Sequence, residues 1–519
     1  MASGISGSLC DYNGKRMTLG MGRAALRPVL FFFALALGAQ TEEQARESER
    51  AKEMMSAGRF EEAIPIYRQL VQALPASAGL LLNLALAEHM AGHERESIPH
   101  FEAVLKAQPN LIPAWFSLAQ ARLALNQPAQ AVAPLKKVVA AEPKNIDARG
   151  MLASTLLDLG HAEESAAHYR ELTTLSPNDP RAWYGLGSAY QAIAGGAFDR
   201  LQKADATSPY VAALVADTRV QRRQFRSAFF FYNEALKQLP NLHGIHASLA
   251  DVYRKSGHAD WASAEDAKEQ ALPAPDCAAH NAECEFLAGH DLKLLSLPRT
   301  PPPSAEALYW QSKAANELAL QAFFRLGQLP PSVEMHRLKA EIARGQNQHL
   351  ESVQEWRAAL ALSPGNPHLQ QELAISLFMA GDYKSALEIA QALLKSDPRS
   401  AEFNFMAGDS LLRLEEPEKA APYLEAALAA DPKLAAARAS LGLALSRLGK
   451  YAQAVPLLEK ALELDDDGSL HYQLARAYQA AGQSEKARAA MAQYQEIVKK
   501  NQEQKEEVAR EAQIGPPKQ

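Results

Sequence analysis

The 519-residue sequence has few cysteines, few aromatic residues and no long run of basic residues. It contains three cysteines, aromatic residues make up 7%, and the formal net charge is −6. Nucleic-acid binding usually requires clustered lysine and arginine interleaved with aromatic groups, so we do not expect nucleic acid as a partner. Alanine, leucine and glutamate dominate instead, which is typical of a helical protein.

The sequence also lacks the short motifs that accompany common catalytic sites. It has no glycine-rich phosphate loop, no Gly-x-Ser-x-Gly elbow and no His-Glu-x-x-His pair. His243 and His246 could share one helix face, but no third ligand stands near them in the sequence. The acidic segment 465–468 lacks the ligand spacing of an EF-hand. We therefore predict no catalytic residue, cofactor, metal ion or small-molecule substrate.

The apolar run near the N-terminus is too short to span a bilayer comfortably. It covers residues 29–37, follows four basic residues and precedes Gly38 and Ala39. This layout is typical of a secretory signal peptide, so we assign residues 1–40 to a signal-peptide segment and expect cleavage after Ala39. Met17 or Met21 could be the true start. The protein would then be exported, periplasmic or extracellular; an uncleaved segment would instead anchor it to the membrane.

What the sequence does contain is a regular comb of prolines. Two sets are spaced by 34 residues: Pro75, Pro109, Pro143 and Pro177, and then Pro330, Pro364, Pro398 and Pro432, with Asp466 at the next position. A period of this length, filled by two short amphipathic helices, predicts a helix-turn-helix solenoid. Because each unit of a solenoid packs only on its neighbours, the chain can exceed the size of a single core.

Small and large residues recur in register with these prolines. Small residues let the two helices of a unit approach closely, and a large residue four positions later packs into the neighbouring groove. Glycine or asparagine ends the first helix in a left-handed conformation, and proline ends the second. The small residues are Ala85, Ala119, Ala153 and Gly187 in first helices and Ala63, Ser97, Ala131 and Ser165 in second helices; the large ones are Tyr67, Phe101, Leu135 and Tyr169; the turn residues are Gly58, Gly92, Asn126 and Gly160.

The segments Trp115-x-x-Leu118-Ala119 and Trp183-x-x-Leu186-Gly187-x-x-Tyr190, with Pro177, resemble the tetratricopeptide repeat signature. The resemblance covers roughly residues 44–500. It implies an all-α fold, an α-solenoid of about thirteen stacked helix-turn-helix repeats in a right-handed superhelix. It also implies a non-catalytic scaffold that binds protein or peptide partners in concave grooves lined by the first helix of each repeat.

By register, that resemblance places twelve side chains on the concave surface. Aromatic rings there would supply apolar area and amides would pair with a peptide backbone, although some rings could instead fill the core between repeats. The predicted partner-binding residues are Phe116, Gln120, Ser154, Tyr184, Ser188 and Gln191 in the first array, and Phe405, Asp409, Arg413, Tyr472, Arg476 and Gln479 in the second.

The comb is interrupted between Pro240 and Pro330, and this gap predicts a joint between two arrays. We expect an N-terminal array over 41–270, an irregular insert over 271–303, a C-terminal array over 304–500, and the end of a capping helix with a disordered tail over 501–519. Gly195-Gly196 is interpreted as a turn between repeat helices. Three consecutive prolines at 301–303 favour an extended conformation at the end of the insert.

Two cysteines, Cys277 and Cys284, lie seven positions apart in this insert. In an oxidising compartment they would form a disulfide that closes a small loop. Free thiols, or a zinc site completed by His280 and His290, are the alternatives, although the spacing matches no usual zinc pattern. Two rival functions follow: an enzyme or accessory subunit with a metal or thiol site in the insert, and a structural organiser that self-associates.

Overall fold

The computed structural model describes residues 42–296, 302–511 and 513–517, and within these ranges all regular structure is helical. The predicted signal peptide and its cleavage position lie outside the described residues. Among the helices in those ranges, none combines the length and apolar character that a membrane span requires.

The chain forms two compact units, and each unit combines two separate stretches. Unit 1 contains the chain up to Arg200 together with Cys277–Pro330, and unit 2 contains Leu201–Asp276 together with Pro331–Gln519. The sequence was expected to divide into contiguous arrays over 41–270 and 304–500. In the structure the chain instead enters unit 2, returns to unit 1 through the insert, and enters unit 2 again.

Unit 1 consists of helix pairs, one long helix, the two short helices of the insert, and the helix that follows the insert. They are α1 (Glu42–Ser56), α2 (Phe60–Ala73), α3 (Ala78–Met90), α4 (Glu94–Ala107), α5 (Ile112–Ala124), α6 (Pro128–Ala141), α7 (Ile146–Asp158), α8 (Ala162–Leu175) and α9 (Pro180–Ala204), whose last turn belongs to unit 2, with α14 (Asn281–Leu287), α15 (Asp291–Leu294) and α16 (Ala305–Gly327).

Unit 2 repeats the same pairing of short helices. Its members are α10 (Pro209–Gln221), α11 (Phe225–Gln238), α12 (Ile245–Lys255), α13 (Ala259–Gln270), α17 (Val333–Gly345), α18 (His349–Leu362), α19 (Pro367–Met379), α20 (Tyr383–Ser396), α21 (Ala401–Arg413), α22 (Pro417–Ala430), α23 (Ala435–Arg447), α24 (Tyr451–Ala461), a short 3-10 turn (Leu462–Leu464), α25 (Ser469–Ala480) and α26 (Ser484–Glu511).

The periodic residues occupy the places that their chemistry predicts. Pro75, Pro109, Pro143 and Pro177 lie in the turns that follow second helices. The turn between the helices of a pair is left-handed, and Asn126 adopts it with a φ of 57° where most repeats use glycine. A short polar side chain tolerates this backbone conformation better than other non-glycine residues do. The predicted left-handed turns are therefore confirmed.

Close contact between the two helices of a repeat explains the small residues in the first helix. A Cβ atom added at Gly408 would lie 2.6 Å from the Leu424 Cγ atom, and one at Gly442 would lie 2.8 Å from Leu458. In both repeats the contacting leucine stands sixteen positions later, in the second helix. Ser165 on α8 adds a hydrogen bond from its Oγ to the Ala153 carbonyl oxygen of α7, at 2.7 Å.

The repeat that begins with α9 departs from this rule. Gly195 and Gly196 were expected to form a turn, but α9 continues through both as one helix of 25 residues, so that interpretation is wrong. The second helix comes from far along the chain instead: α16 packs on α9, and the Phe323 ring lies where a Cβ atom of Gly187 would stand. Ser312 of α16 donates a hydrogen bond to the Ala194 carbonyl oxygen at 3.2 Å.

The insert supports α16 from its other side. A disulfide joins Cys277 to Cys284 at the start of α14, and the Phe286 ring of α14 lies 4.8 Å from the buried Trp310 ring of α16. Gln311 donates a hydrogen bond to the Leu295 carbonyl oxygen at 2.7 Å. The insert is therefore a short helical clamp on the helix that completes the α9 repeat.

The end of the chain was expected to be disordered over 514–519. The described part, residues 513–517, instead lies against unit 2. Ile514 packs on Tyr253 of α12, and the Tyr253 hydroxyl donates a hydrogen bond to the Gly515 carbonyl oxygen at 2.8 Å. The aromatic and apolar side chains of α12 and α13 supply the partner that the sequence pattern of the tail does not reveal.

Two glycine-to-alanine substitutions in α9 are predicted to have opposite effects. Gly187→Ala places a methyl group against the Phe323 ring and should lower the free energy of unfolding by about 1–3 kcal/mol. Gly195→Ala meets open space and should raise it by about 0.5–1 kcal/mol through helix propensity. Chemical denaturation of both variants measures the difference, and effects of the same sign would contradict the docking of α16 on α9.

The disulfide prediction concerns the clamp on α16. Cys277 and Cys284 should resist iodoacetamide in the native protein and react only after reduction, as peptide mass spectrometry would show. Cys284→Ser should lower the free energy of unfolding by about 2 kcal/mol, because the short loop is no longer closed in the unfolded chain. Alkylation of both residues without a reductant would contradict the bond.

Candidate functional site

The predicted groove residues of α5 and α7 are only partly available to a partner. Phe116 packs against the core cluster that contains Leu135 and Leu152, so its ring contributes to packing between repeats. The Ser154 hydroxyl donates to the Met151 carbonyl oxygen of its own helix at 3.1 Å. Gln120 is half-buried on α5. Phe116 therefore takes part in core filling, one of the two alternatives considered for the rings, whereas Gln120 is still partly accessible.

The predicted groove residues of α9 lie beside α16. The Tyr184 ring is 6.3 Å from the Phe323 ring, centroid to centroid, and the Ser188 hydroxyl donates to the Tyr184 carbonyl oxygen at 2.9 Å. Gln191 is exposed. Helix α16 therefore contacts the face that Tyr184 was expected to offer to a partner. The same helix packs against Gly187, where a side chain would collide with Phe323.

In unit 2, Asp409 has a structural partner that sequence register does not show. Its side chain is buried, accepts a hydrogen bond from the Ser440 hydroxyl at 2.6 Å, and pairs with the Arg413 guanidinium, whose Nε atom is 3.5 Å away. Asp409 thus links α21 to α23. A buried carboxylate held by two partners from the protein is poorly placed to contact a ligand.

The other predicted residues of unit 2 remain at the surface. Phe405 is half-buried, and Tyr472, Arg476 and Gln479 on α25 are exposed. The Tyr472 ring lies 5.3 Å from the Tyr494 ring of α26, so the capping helix contacts one side of it. The structure does not gather the six residues of this array into one cluster.

A more concentrated polar surface lies on α17, α19 and α21, which are consecutive first helices. Gln371 on α19 donates from Nε2 to both carboxylate oxygens of Glu402 on α21, at 3.1 and 3.2 Å. Arg344 on α17 pairs with Glu372 on α19 at 2.5 Å. We call the surface formed by Arg337, His368, Gln371, Glu402 and Phe405 the first-helix surface.

Burial shifts the pKa values of two groups on the first-helix surface. Burial and then the Arg337 charge hold the pKa of His368 below its usual value. Burial raises the pKa of Glu402, and the neighbouring Glu372 carboxylate adds to this against the lowering effect of the Gln371 hydrogen bond. Desolvated charged groups in a groove are common at functional sites. Four residues of the first-helix surface, Arg337, His368, Gln371 and Glu402, were not predicted from the sequence. The 34-residue register that selected Phe405 leads to Gln371 and Arg337, one and two periods earlier, whereas His368 and Glu402 stand at another position of the repeat.

The insert contains a second group of polar side chains. His280, Glu283 and Glu306 place one potential ligand atom each within 4.8 Å of one another, and His280 Nδ1 lies 3.1 Å from the Glu306 carboxylate. Because Cys277 and Cys284 are bonded to each other, neither is a thiolate that could complete a zinc site with His280 and His290. Glu283 stands in the first turn of α14, where a carboxylate stabilises the helix without any ion.

Three solved structures show how far similarity to known folds extends. A MamA protein, residues 41 to the end, from Desulfovibrio magneticus RS-1 is 23% identical, covering 32% of this chain and 96% of that one, with a TM-score of 0.29. A tetratricopeptide repeat protein from Parabacteroides merdae is 11% identical over 65% of this chain and all of that one, with a TM-score of 0.31. A thermophilic TPR protein from Thermus thermophilus is 22% identical over 35% and 100%, with a TM-score of 0.28.

No curated protein matches the sequence significantly. Family models, by contrast, match in several places. Two models described as tetratricopeptide repeat match residues 49–112 and 372–435, and residues 89–154, 122–189 and 445–506. Together these matches cover just over half of the chain, and they fall on the paired helices of both units. The chain belongs to the tetratricopeptide repeat family.

Proposed function

We propose that this chain binds protein or peptide partners on the first-helix surface of unit 2 and catalyses no reaction. The repeats support a protein-interaction scaffold in general. The observation that carries the more specific proposal is the continuity of polar groups across α17, α19 and α21, where Gln371 of one repeat contacts Glu402 of the next.

The chemistry of this surface suits an extended peptide. The Phe405 ring packs on one side against the core cluster that contains Leu411 and Leu441, and its remaining exposed part offers apolar area. The Gln371 amide can pair with a peptide backbone, and Arg337, which pairs with Glu341 of its own helix, and Glu402 supply charges of both signs. The side chains are half-buried, and Gln371 and Glu402 hold each other across adjacent helices, which lowers the entropic cost of ordering them when a partner binds. Successive repeats would then add several modest contacts along one partner.

No nucleophile with an adjacent base stands on this surface. His368 and Glu402 have shifted pKa values, but burial is the first cause in both. The charges around them are paired, Arg337 with Glu341 within α17 and Arg344 with Glu372 between α17 and α19. Structural ion-pair networks perturb pKa values in the same way as active sites do. Binding therefore accounts for the arrangement without a catalytic step.

The proposal predicts that Gln371→Ala with Phe405→Ala weakens partner binding. Full-length protein should retain one or more proteins from an envelope extract, and the double variant should retain them at least about tenfold less, because it loses an apolar anchor and an amide on adjacent helices. Quantitative mass spectrometry of the retained proteins measures the change.

A matched control changes the opposite helices of the same repeats. Glu388→Ala with Glu425→Ala alters exposed residues of α20 and α22, which are second helices, and should leave retention unchanged. Circular dichroism and thermal unfolding confirm that both double variants are folded. Equal loss in the two double variants, or no loss in either, would reject the first-helix surface as the binding site.

We also propose that the protein is exported. The basic residues before the apolar segment 29–37 and the small residues Gly38 and Ala39 support this proposal. The disulfide between Cys277 and Cys284 supports it independently, since such bonds persist mainly in oxidising compartments.

Export predicts a mature protein that begins at Gln40 and is found in the periplasmic or secreted fraction. N-terminal sequencing after cell fractionation tests both points. Phe32→Arg with Leu35→Arg interrupts the apolar run and should trap the precursor in the cytoplasm. Cytoplasmic wild-type protein that retains residues 1–39 would contradict the proposal.

A further inference from the structure

Among the described residues that line a cleft in unit 2, several carry positive charge and none is a carboxylate. It has a volume of about 990 Å³ and lies between the turn before α11, the turn before α13 and the end of α26. Arg223, Arg226 and Lys505 line it, and the side chains of all three are exposed. In a chain with a net charge of −6, such a concentration of cations favours an anionic ligand.

Aromatic side chains lie next to this cleft and provide an apolar floor. The Tyr253 ring is 5.7 Å from the Phe229 ring and 5.6 Å from the Trp261 ring, and His258, which lines the cleft, stacks on Trp261 at 4.1 Å. An apolar floor with a polar rim is the usual anatomy of a peptide-recognition site.

The chain's own C-terminal segment shows how a peptide fits this floor. Ile514 packs against the cluster that contains Tyr253, as Phe229 and Trp261 also do, and the Tyr253 hydroxyl donates to the Gly515 carbonyl oxygen at 2.8 Å. Burial, followed by the Glu265 charge, raises the pKa of Tyr253 to about 12, so the hydroxyl remains a donor at physiological pH. The aromatic floor thus contacts one aliphatic side chain of the segment, and the Tyr253 hydroxyl binds one of its backbone carbonyl groups.

After Ile514 the C-terminal segment offers no acidic side chain to the cationic rim. After Ile514 the sequence reads Gly-Pro-Pro-Lys-Gln and contains no acidic residue. A peptide with the same aliphatic side chain and with flanking carboxylates would satisfy both the aromatic floor and the rim, and would therefore compete with the segment for the floor.

The backbone at Arg223 gives an independent reason to regard the rim as a feature of the site. Arg223 occupies the left-handed turn between α10 and α11 with a φ of 58°, where most other repeats place glycine or asparagine and the repeat of α21 and α22 places Glu415. An arginine in this conformation costs stability that glycine would not. The strained backbone at Arg223 places a cation in the cleft. Strained residues are often retained where they contribute to a binding site.

We infer that this cleft is a second interaction site, which binds an extended acidic peptide segment of a partner protein through an aliphatic side chain, and that the C-terminal segment is a weaker occupant in cis. The site is separate from the first-helix surface and shares none of its residues. An oligonucleotide could also use cations and aromatic rings, but the bound segment and its carbonyl hydrogen bond favour a peptide.

The test uses full-length protein and two fluorescein-labelled heptapeptides. One has the chain's own sequence, Gln-Ile-Gly-Pro-Pro-Lys-Gln, and the other is Glu-Ile-Gly-Pro-Pro-Glu-Glu. In the Ile514→Ala variant, whose own segment no longer fills the floor, the acidic peptide should bind at least about tenfold more tightly than the other in low salt. The difference should shrink in high salt, and wild-type protein should bind both peptides more weakly. Fluorescence anisotropy measures all four affinities.

Substitutions at two left-handed turns separate binding from folding. Arg223→Gly in the Ile514→Ala background should raise thermal stability while it abolishes most of the preference for the acidic peptide. Glu415→Gly relieves the same strain in the turn between α21 and α22 and should raise stability with no effect on either peptide. Trp261→Ala should weaken binding of both peptides.

Three results would overturn the inference: equal affinity for the two peptides, no binding of either peptide to a folded Ile514→Ala variant, or tight binding of a labelled oligothymidylate with no binding of the acidic peptide. Failure here is distinguishable from failure of the proposed function, because Gln371→Ala with Phe405→Ala should leave the affinities of both heptapeptides unchanged.

Discussion

Close approach between the two helices of each repeat is the constraint on which the rest of this structure depends. Gly408 and Gly442 allow a leucine of the second helix to reach the backbone of the first, and alanine serves the same purpose at Ala85, Ala119 and Ala153, which are fully buried. Tight packing at this point fixes the side chains on the opposite face of the first helix. The geometry of the binding surface therefore depends on packing contacts between the two helices of a repeat, which lie away from the partner.

Gly187 obeys the same constraint with a partner from another part of the chain. Because Phe323 meets Gly187, α16 takes the place of a second helix, and the face near Tyr184 contacts the protein itself. The positions of the small residues were predictable from the sequence, since the 34-residue period reports on neighbouring helices. The identity of the helix that packs on Gly187 was not, because no periodic signal connects residues so far apart.

The candidate site shows the same division between what register predicts and what it does not. Register selected Phe405, and the same rule applied to α17 and α19 gives Arg337 and Gln371, which stand two and one 34-residue periods before it, but not His368, which stands three positions before Gln371. It could not predict that Asp409 is buried by Ser440, because that depends on a hydrogen bond between first helices rather than on a repeat position. Nor could composition reveal that Ile514 has an aromatic partner.

The interleaved chain path limits how far unit 1 behaves as a simple solenoid. In a regular array each repeat depends on its sequence neighbours, so stability is nearly a sum of local terms. Here α9 depends on α16, and α16 is held by the insert through Phe286 and Gln311. Residues 41–270 therefore lack the helix that covers Gly187, and residues 304–500 begin with a helix whose apolar face packs on α9. The irregular insert is thus part of the packing of unit 1, not a passive linker between two arrays.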